Sequence, residues 1–216
     1  MKGENKILGL QGQDYFRVRE HVPLDLVFLP WPGGRKTSTY VVLVRDDSGI
    51  DESSHLRGRL LLTVEGRQMG LARIWLEVML SEAGLGGSRS LLQSVKTHHR
   101  VAQAVLPVFF GTADACLVSR SGFETMAELN PQISQQLRVL ASSPPVIPFV
   151  TCMRSDFTGI DRQRTEAAYL EAHLHAQGRQ LLTLFGDDRD ERCDENDLQS
   201  SLEIIQRHGQ LETTHP

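Results

Sequence analysis

VFFGTADACLVSRSGFETMAELNPQ, from Val108 to Gln132, is the stretch whose reading decides the fold. Phe109 and Phe110 lead into Gly111, and Ala113, Ala115, Cys116, Leu117 and Val118 form a nearly continuous apolar run. A run without polar alternation suits a strand covered on both faces, as in a parallel sheet. Asp114 interrupts it, and a buried charge is costly unless it is paired. The polar loop Ser119-Arg120-Ser121-Gly122 follows at the strand's carboxyl end, where open α/β sheets hold their ligands. A helix then runs from Phe123 to Leu129 and stops before Pro131, because the residue before a proline is driven out of the helical region. The segment reads as one wall of a ligand cleft, with no catalytic machinery in it.

The same alternation extends in both directions. Val- and Leu-rich runs at 24–29 and 39–44 predict strands joined through Pro30-Trp31-Pro32-Gly33-Gly34, and 60–64 predicts another. Leu71, Ile74, Trp75, Val78 and Met79 recur at helical spacing, which predicts a helix over 70–83 stopped by Gly84. A weak strand at 91–95 leads to a helix over 98–106. Beyond a Ser142-Ser143-Pro144-Pro145 crossover, 146–153 predicts a strand in which Pro148 implies an edge or a bulge. A helix over 162–177, a short apolar run at 181–185, a charged loop at 187–197 and a terminal helix over 198–207 complete the chain. Alternating strands and helices make the class α/β.

The 216 residues are enough for one large domain or two small lobes. A formal charge of −4 argues against a general nucleic-acid binder. No apolar run is long enough to span a bilayer, and MKGENKILGLQGQDYF lacks the basic-then-apolar order of a signal peptide. Taken literally, the chain stays in the cytoplasm. Cys116, Cys152 and Cys193 have no metal-type spacing and read as two buried hydrophobes and one exposed thiol.

Several pieces, in order, resemble the substrate-binding proteins of phosphate, phosphite and phosphonate ABC transporters. They are Tyr40-Val41-Val42-Leu43-Val44-Arg45 with Asp47-Ser48, Leu56-Arg57-Gly58, Gly111-Thr112-Ala113-Asp114-Ala115, Glu128-Leu129-Asn130-Pro131-Gln132 and Gly178-Arg179-Gln180-Leu181-Leu182. The resemblance runs from about Leu8 to Leu202. It implies a two-lobed α/β architecture, the type 2 periplasmic-binding-protein-like fold, with an anionic ligand clamped between the lobes. On that pattern 1–55 is part of the first lobe, 56–141 the second, and 142–216 a crossover that returns to the first lobe with the C-terminal helices. The family carries a further amino-terminal portion, so the first lobe here is expected to be incomplete and the chain to be a fragment or a shortened product. An incomplete lobe would expose apolar sheet surface.

An oxyanion needs donors, which helix N-termini, hydroxyls and a few cations provide. The turn Glu65-Gly66-Arg67-Gln68-Met69-Gly70 is similar in position to the family's hydroxyl-rich phosphate cradle. Arg67 and Gln68 stand where Ser or Thr is expected, and a guanidinium can hold an oxyanion bidentately. Thr97 fits an N-cap for a helix bearing His98 and His99, of which His98 is the ligand candidate. Asp114 is similar in place to an aspartate that contacts the protonated end of the ligand in some members; its structural alternative is to accept N–H bonds from the adjoining turn. Tyr40 and Tyr15 resemble aromatic positions lining the cavity, although a strand tyrosine is more often simply half-buried with its OH in water. Ser119 lies on the ligand side of its strand.

His173 and His175 diverge on a helix, the acidic loop lacks the glycine and glutamate of a calcium site, and Ser48 and Ser121 have no elbow or base. No catalytic residue, cofactor or metal is expected. The expected function is the solute-binding component of an ABC uptake system, holding a phosphate- or phosphonate-type oxyanion without chemistry. Its partners would be that ligand and a membrane permease, with no nucleic acid and no direct membrane insertion. Family resemblance implies a periplasmic or extracytoplasmic location. The alternatives are a ligand-sensing domain working with a regulator or sensor partner, an enzyme of small anionic substrates, and a truncated remnant that binds nothing.

Overall fold

A computed structural model describes residues 5–214, with side chains described over 5–211. In chain order the elements begin β1 (Ile7–Gln11), α1 (Gly12–Val18), β2 (Leu24–Pro30), β3 (Tyr40–Arg45), β4 (Leu60–Val64), α2 (Ala72–Glu82), α3 (Ser88–Leu91) and β5 (Ser94–His98). They continue α4 (Val101–Phe109), β6 (Ala115–Ser119), α5 (Arg120–Leu129), α6 (Gln132–Gln136), β7 (Leu137–Ser142) and β8 (Phe149–Arg154). The last are α7 (Gly159–Glu171), α8 (Ala176–Phe185), β9 (Asp190–Arg192) and α9 (Gln199–Thr214). These fall into two compact units, Met1–Thr37 with Ile147–Gln199, and Ser38–Val146 with Ser200–Pro216.

The second of these units holds the sheet β5-β4-β6-β3-β7. Strand β4 runs parallel to β5 and β6, while β3 is antiparallel to β6 and β7. The unbroken apolar run of β6 is explained by its place: it is wholly buried in the middle of the sheet. Period-two alternation sends Tyr40, Val42, Val44, Leu61, Ala115 and Leu117 to one face. There they meet Trp75 and Leu76 of α2 and Ile204 of α9. The opposite face carries Val41, Leu43, Leu62, Cys116 and Val118 against Ala104, Val105 and Val108 of α4.

The other unit has the sheet β1-β8-β2-β9, in which every neighbouring pair is antiparallel. One core cluster contains Tyr15, Leu29, Val150, Cys152 and Leu198. A second gathers Val27, Phe28, Met153 and Phe157, and Phe28 stacks on Tyr169 of α7 with ring centroids 5.1 Å apart. Arg162 ties α7 to β2 through Asp25 at 2.5 Å and holds Glu166 at 2.8 Å.

Several boundaries differ from the sequence reading. The stretch 40–45, expected in the first lobe, joins the second sheet, because its fully apolar core can be covered on both sides only as an interior strand. The C-terminal helix, expected to return to the first lobe, packs Ile204, Ile205 and Leu211 into the second unit's core instead. Residues 181–185 are the end of a helix, and the long helix expected over 162–177 breaks into α7, a 3₁₀ turn at Ala172–Leu174, and α8.

Candidate functional site

The parallel strands β4, β5 and β6 all end at one edge of the second sheet. Val64 pairs with His98, and Tyr40 pairs with Ser119, so the start of antiparallel β3 lies at that same edge. Directly after β4 the chain turns through Gly66, whose φ of 143° is a conformation a side-chain-bearing residue rarely adopts. A 3₁₀ turn, Arg67–Met69, then leads into α2. The Glu65 N–H donates to the His98 carbonyl at 2.9 Å, which stitches this turn to the end of β5. Four sequence-predicted residues, Arg67, Gln68, His98 and Ser119, are thereby brought to one sheet edge, with Tyr40 beneath them.

Their side chains divide into contacts already made and donors left over. The Ser38 hydroxyl donates to Gln68 Oε1 at 2.6 Å, which leaves the Gln68 NH₂ to donate elsewhere. Ser119 is the N-cap of α5, its hydroxyl accepting the Gly122 N–H at 3.1 Å. Tyr40 is wholly buried, and its hydroxyl accepts the Leu71 N–H at 3.2 Å. Burial pushes the Tyr40 phenol well above the usual tyrosine range, so it stays neutral. Its part is to hold the entry of α2, not to stand open to a ligand.

His98 does not begin a helix. Thr97 and His98 are the last residues of β5, paired with Thr63 and Val64, and α4 starts at Val101 with Arg100 as an N-cap lacking a side-chain bond. β-Branched Val95 and Thr97 favour the strand. His99 is exposed and meets Glu65 at 2.6 Å.

Asp114 lies at the opposite edge of the sheet, before the first residue of β6. Its Oδ2 accepts the Leu60 N–H at 2.8 Å, and its Oδ1 pairs with Arg59 at 3.2 Å. Ser119 is the last residue of the five-residue β6, so the two lie roughly 16 Å apart at the rise of an extended chain. The carboxylate that interrupts the apolar run is thus paid for locally by joining the start of β4 to the start of β6. Tyr15 belongs to the other unit, where it is buried in the middle of α1 with its hydroxyl accepting from Arg19 at 3.4 Å.

Sequence reasoning missed Arg120. It follows Ser119 at the same sheet edge, with its N–H donating to the Thr39 carbonyl at 2.7 Å and its guanidinium to the Ser142 hydroxyl at 3.2 Å. The signal was present in the Ser119-Arg120-Ser121-Gly122 loop, where the serines drew attention and the cation did not. In the other unit, Arg189 lies over the Trp31 ring at 4.0 Å, and both Trp31 Nε1 and Arg189 Nε are buried donors without a partner among the described residues. Among the described residues no cluster of three or more His, Cys, Asp or Glu could hold a metal ion, and no helix is long and apolar enough to cross a membrane.

Two α/β units of this kind have the type 2 periplasmic-binding-protein fold, in which parallel strands end at one edge of the sheet. The chain belongs to the family described as ABC transporter, phosphonate, periplasmic substrate-binding protein, which it matches over residues 2–198. The family description is that of a transport binding protein. No curated protein matches the sequence.

Solved structures share the fold at low identity. XAC2383 from Xanthomonas citri bound to ATP is 15% identical with a TM-score of 0.75, over 100% of this chain and 82% of that one. A binding protein component of an ABC phosphonate transporter from Pseudomonas aeruginosa is 10% identical with a TM-score of 0.69, over 99% and 72%. PhnD1 from Prochlorococcus marinus in complex with methylphosphonate is 15% identical with a TM-score of 0.65, over 94% and 78%.

Proposed function

We propose that this chain binds a phosphonate- or phosphate-type oxyanion in the periplasm and hands it unchanged to a membrane permease. The observation that supports this most directly is the placement of Arg67, Gln68, His98 and Ser119 at one carboxyl sheet edge. Arg67 supplies charge and a bidentate fork, and the Gln68 NH₂ supplies a neutral donor. Ser119 and Tyr40 fix the backbone around them through the N-cap and the Leu71 N–H. Arg120 adds a second cation to the set. Asp114 is left out, since its carboxylate is engaged at the far edge.

A micromolar site corresponds to about −8 kcal/mol, which a few charge-assisted bonds in a shielded site can supply. Isothermal titration and thermal denaturation with methylphosphonate, phosphite and phosphate test the reading. Ligand at about a hundred times Kd should add about 2.7 kcal/mol of stability. Arg67→Ala should abolish the gain. The absence of any gain with all three anions would refute the proposal.

A further inference from the structure

A cavity of about 520 Å³ opens in the second unit, and none of the residues that line it belongs to the Arg67–Met69 turn. Its walls are one face of α2, with Arg73, Ile74 and Glu77 at helical spacing, and the C-terminal part of α9, with His208 and Leu211. Arg89 of α3 and the backbone of Gly86 and Gly87 close it. The volume lies within the range of small-molecule sites, roughly 300–1,000 Å³.

The charges in this cavity do not cancel. The Glu77 carboxylate is spent on the loop: it accepts the Ser88 N–H at 2.8 Å and the Ser88 hydroxyl. A Cβ on Gly87 would sit 3.0 Å from Glu77 Oε2, so the glycine lets the backbone close on that carboxylate. Glu82, the next acid on α2, pairs with Arg207 at 3.0 Å and pins α9 against α2. Arg73 and Arg89 are left with no acidic partner among the described residues. On a chain with 27 acidic and 23 basic residues, two guanidiniums against the single Glu77 carboxylate in one cavity lining are a local reversal of sign. Ile74 and Leu211, each packed on the core, give the same cavity an apolar floor.

We infer that this cavity is a second ligand site, separate from the Arg67 edge, for a small organic dianion with a phosphate head and an apolar body. Arg73 and Arg89 grip the head, for which paired guanidinium forks are suited. Ile74 and Leu211 take the body. A site of this kind, on helices of a single unit, would make the protein responsive to a second metabolite besides its transported anion.

Phenyl phosphate serves as the probe, added to the full-length protein with methyl-labelled Ile and Leu and followed by NMR. Its binding should move the Ile74 and Leu211 methyl signals, and benzoate or inorganic phosphate should bind about tenfold more weakly. Arg73→Ala and Arg89→Ala should each weaken phenyl phosphate by about tenfold, whereas Arg67→Ala should leave these shifts intact. Both arginines are exposed, so neither substitution should change the melting temperature. Methyl signals that stay still at millimolar phenyl phosphate overturn the inference, as does benzoate binding as tightly. Affinity in both arginine variants equal to that of the parent also overturns it. None of these outcomes bears on anion binding at Arg67, which methylphosphonate titration reads independently.

Discussion

The hydroxyl of Tyr40, at the first residue of β3, accepts the backbone N–H of Leu71, immediately before α2, at 3.2 Å. Leu71 and Tyr40 are both wholly buried, so the bond is made in the dry core directly beneath the Arg67–Met69 turn. The Tyr40 N–H is satisfied as well, donating to Ser143 Oγ at 2.8 Å. The tyrosine therefore links β3, the α2 entry and the Ser143 crossover. Tyr40→Phe keeps the ring against Trp75 but orphans the Leu71 N–H, at a cost of about 1–3 kcal/mol. Urea unfolding should show the loss as a lower midpoint with the same slope. An unchanged midpoint would mean the hydroxyl does not hold α2.

Asp114 offers the opposite dissociation, between folding and binding. Its carboxylate joins Leu60 and Arg59 at the edge of the sheet remote from Ser119. Asp114→Ala should destabilise by about 1–2 kcal/mol through the lost Leu60 bond, while methylphosphonate affinity stays within about twofold of the parent. Titration and unfolding measured on one preparation decide it. A large affinity loss at constant stability would return Asp114 to the ligand shell.

The contrast between these two residues shows how far the sequence could be read. The apolar run at 115–118 announced a covered strand, and it is the central strand of its sheet. The alternation of strands and helices announced the class. What sequence could not convey was which end of a strand each polar residue occupies in space. Asp114 and Ser119 flank the same four-residue run, and only the pairing of β6 with β4 and β3 separates them to opposite edges. His98 was assigned to a helix because Thr97 looks like a cap, yet parallel pairing with β4 outweighed that local signal. The terminal helix was sent to the wrong unit for a similar reason: its apolar spacing marks a buried face but does not say against which core.

Alkaline pH provides a test of the other unit. Tyr15 is 1% exposed, and burial raises its phenol from 10.0 to about 12, with Arg19 acting in the opposite sense. Burial likewise pushes the Cys152 thiol from 9.0 to about 12. Both groups keep their protons in the folded chain at pH values where the unfolded chain has lost them. The unfolded state then binds fewer protons, so stability falls as pH rises. The contribution of Tyr15 is fully present below pH 10 and is lost as pH climbs toward 12. A shift of this size corresponds to about 2–3 kcal/mol for so buried a group. Tyr15→Phe has no proton to lose, so its stability should decline less than the parent's between about pH 10 and about pH 12, under reducing conditions. Urea unfolding at a series of pH values gives both curves, and parallel curves would show that the Tyr15 hydroxyl is not held neutral by its burial.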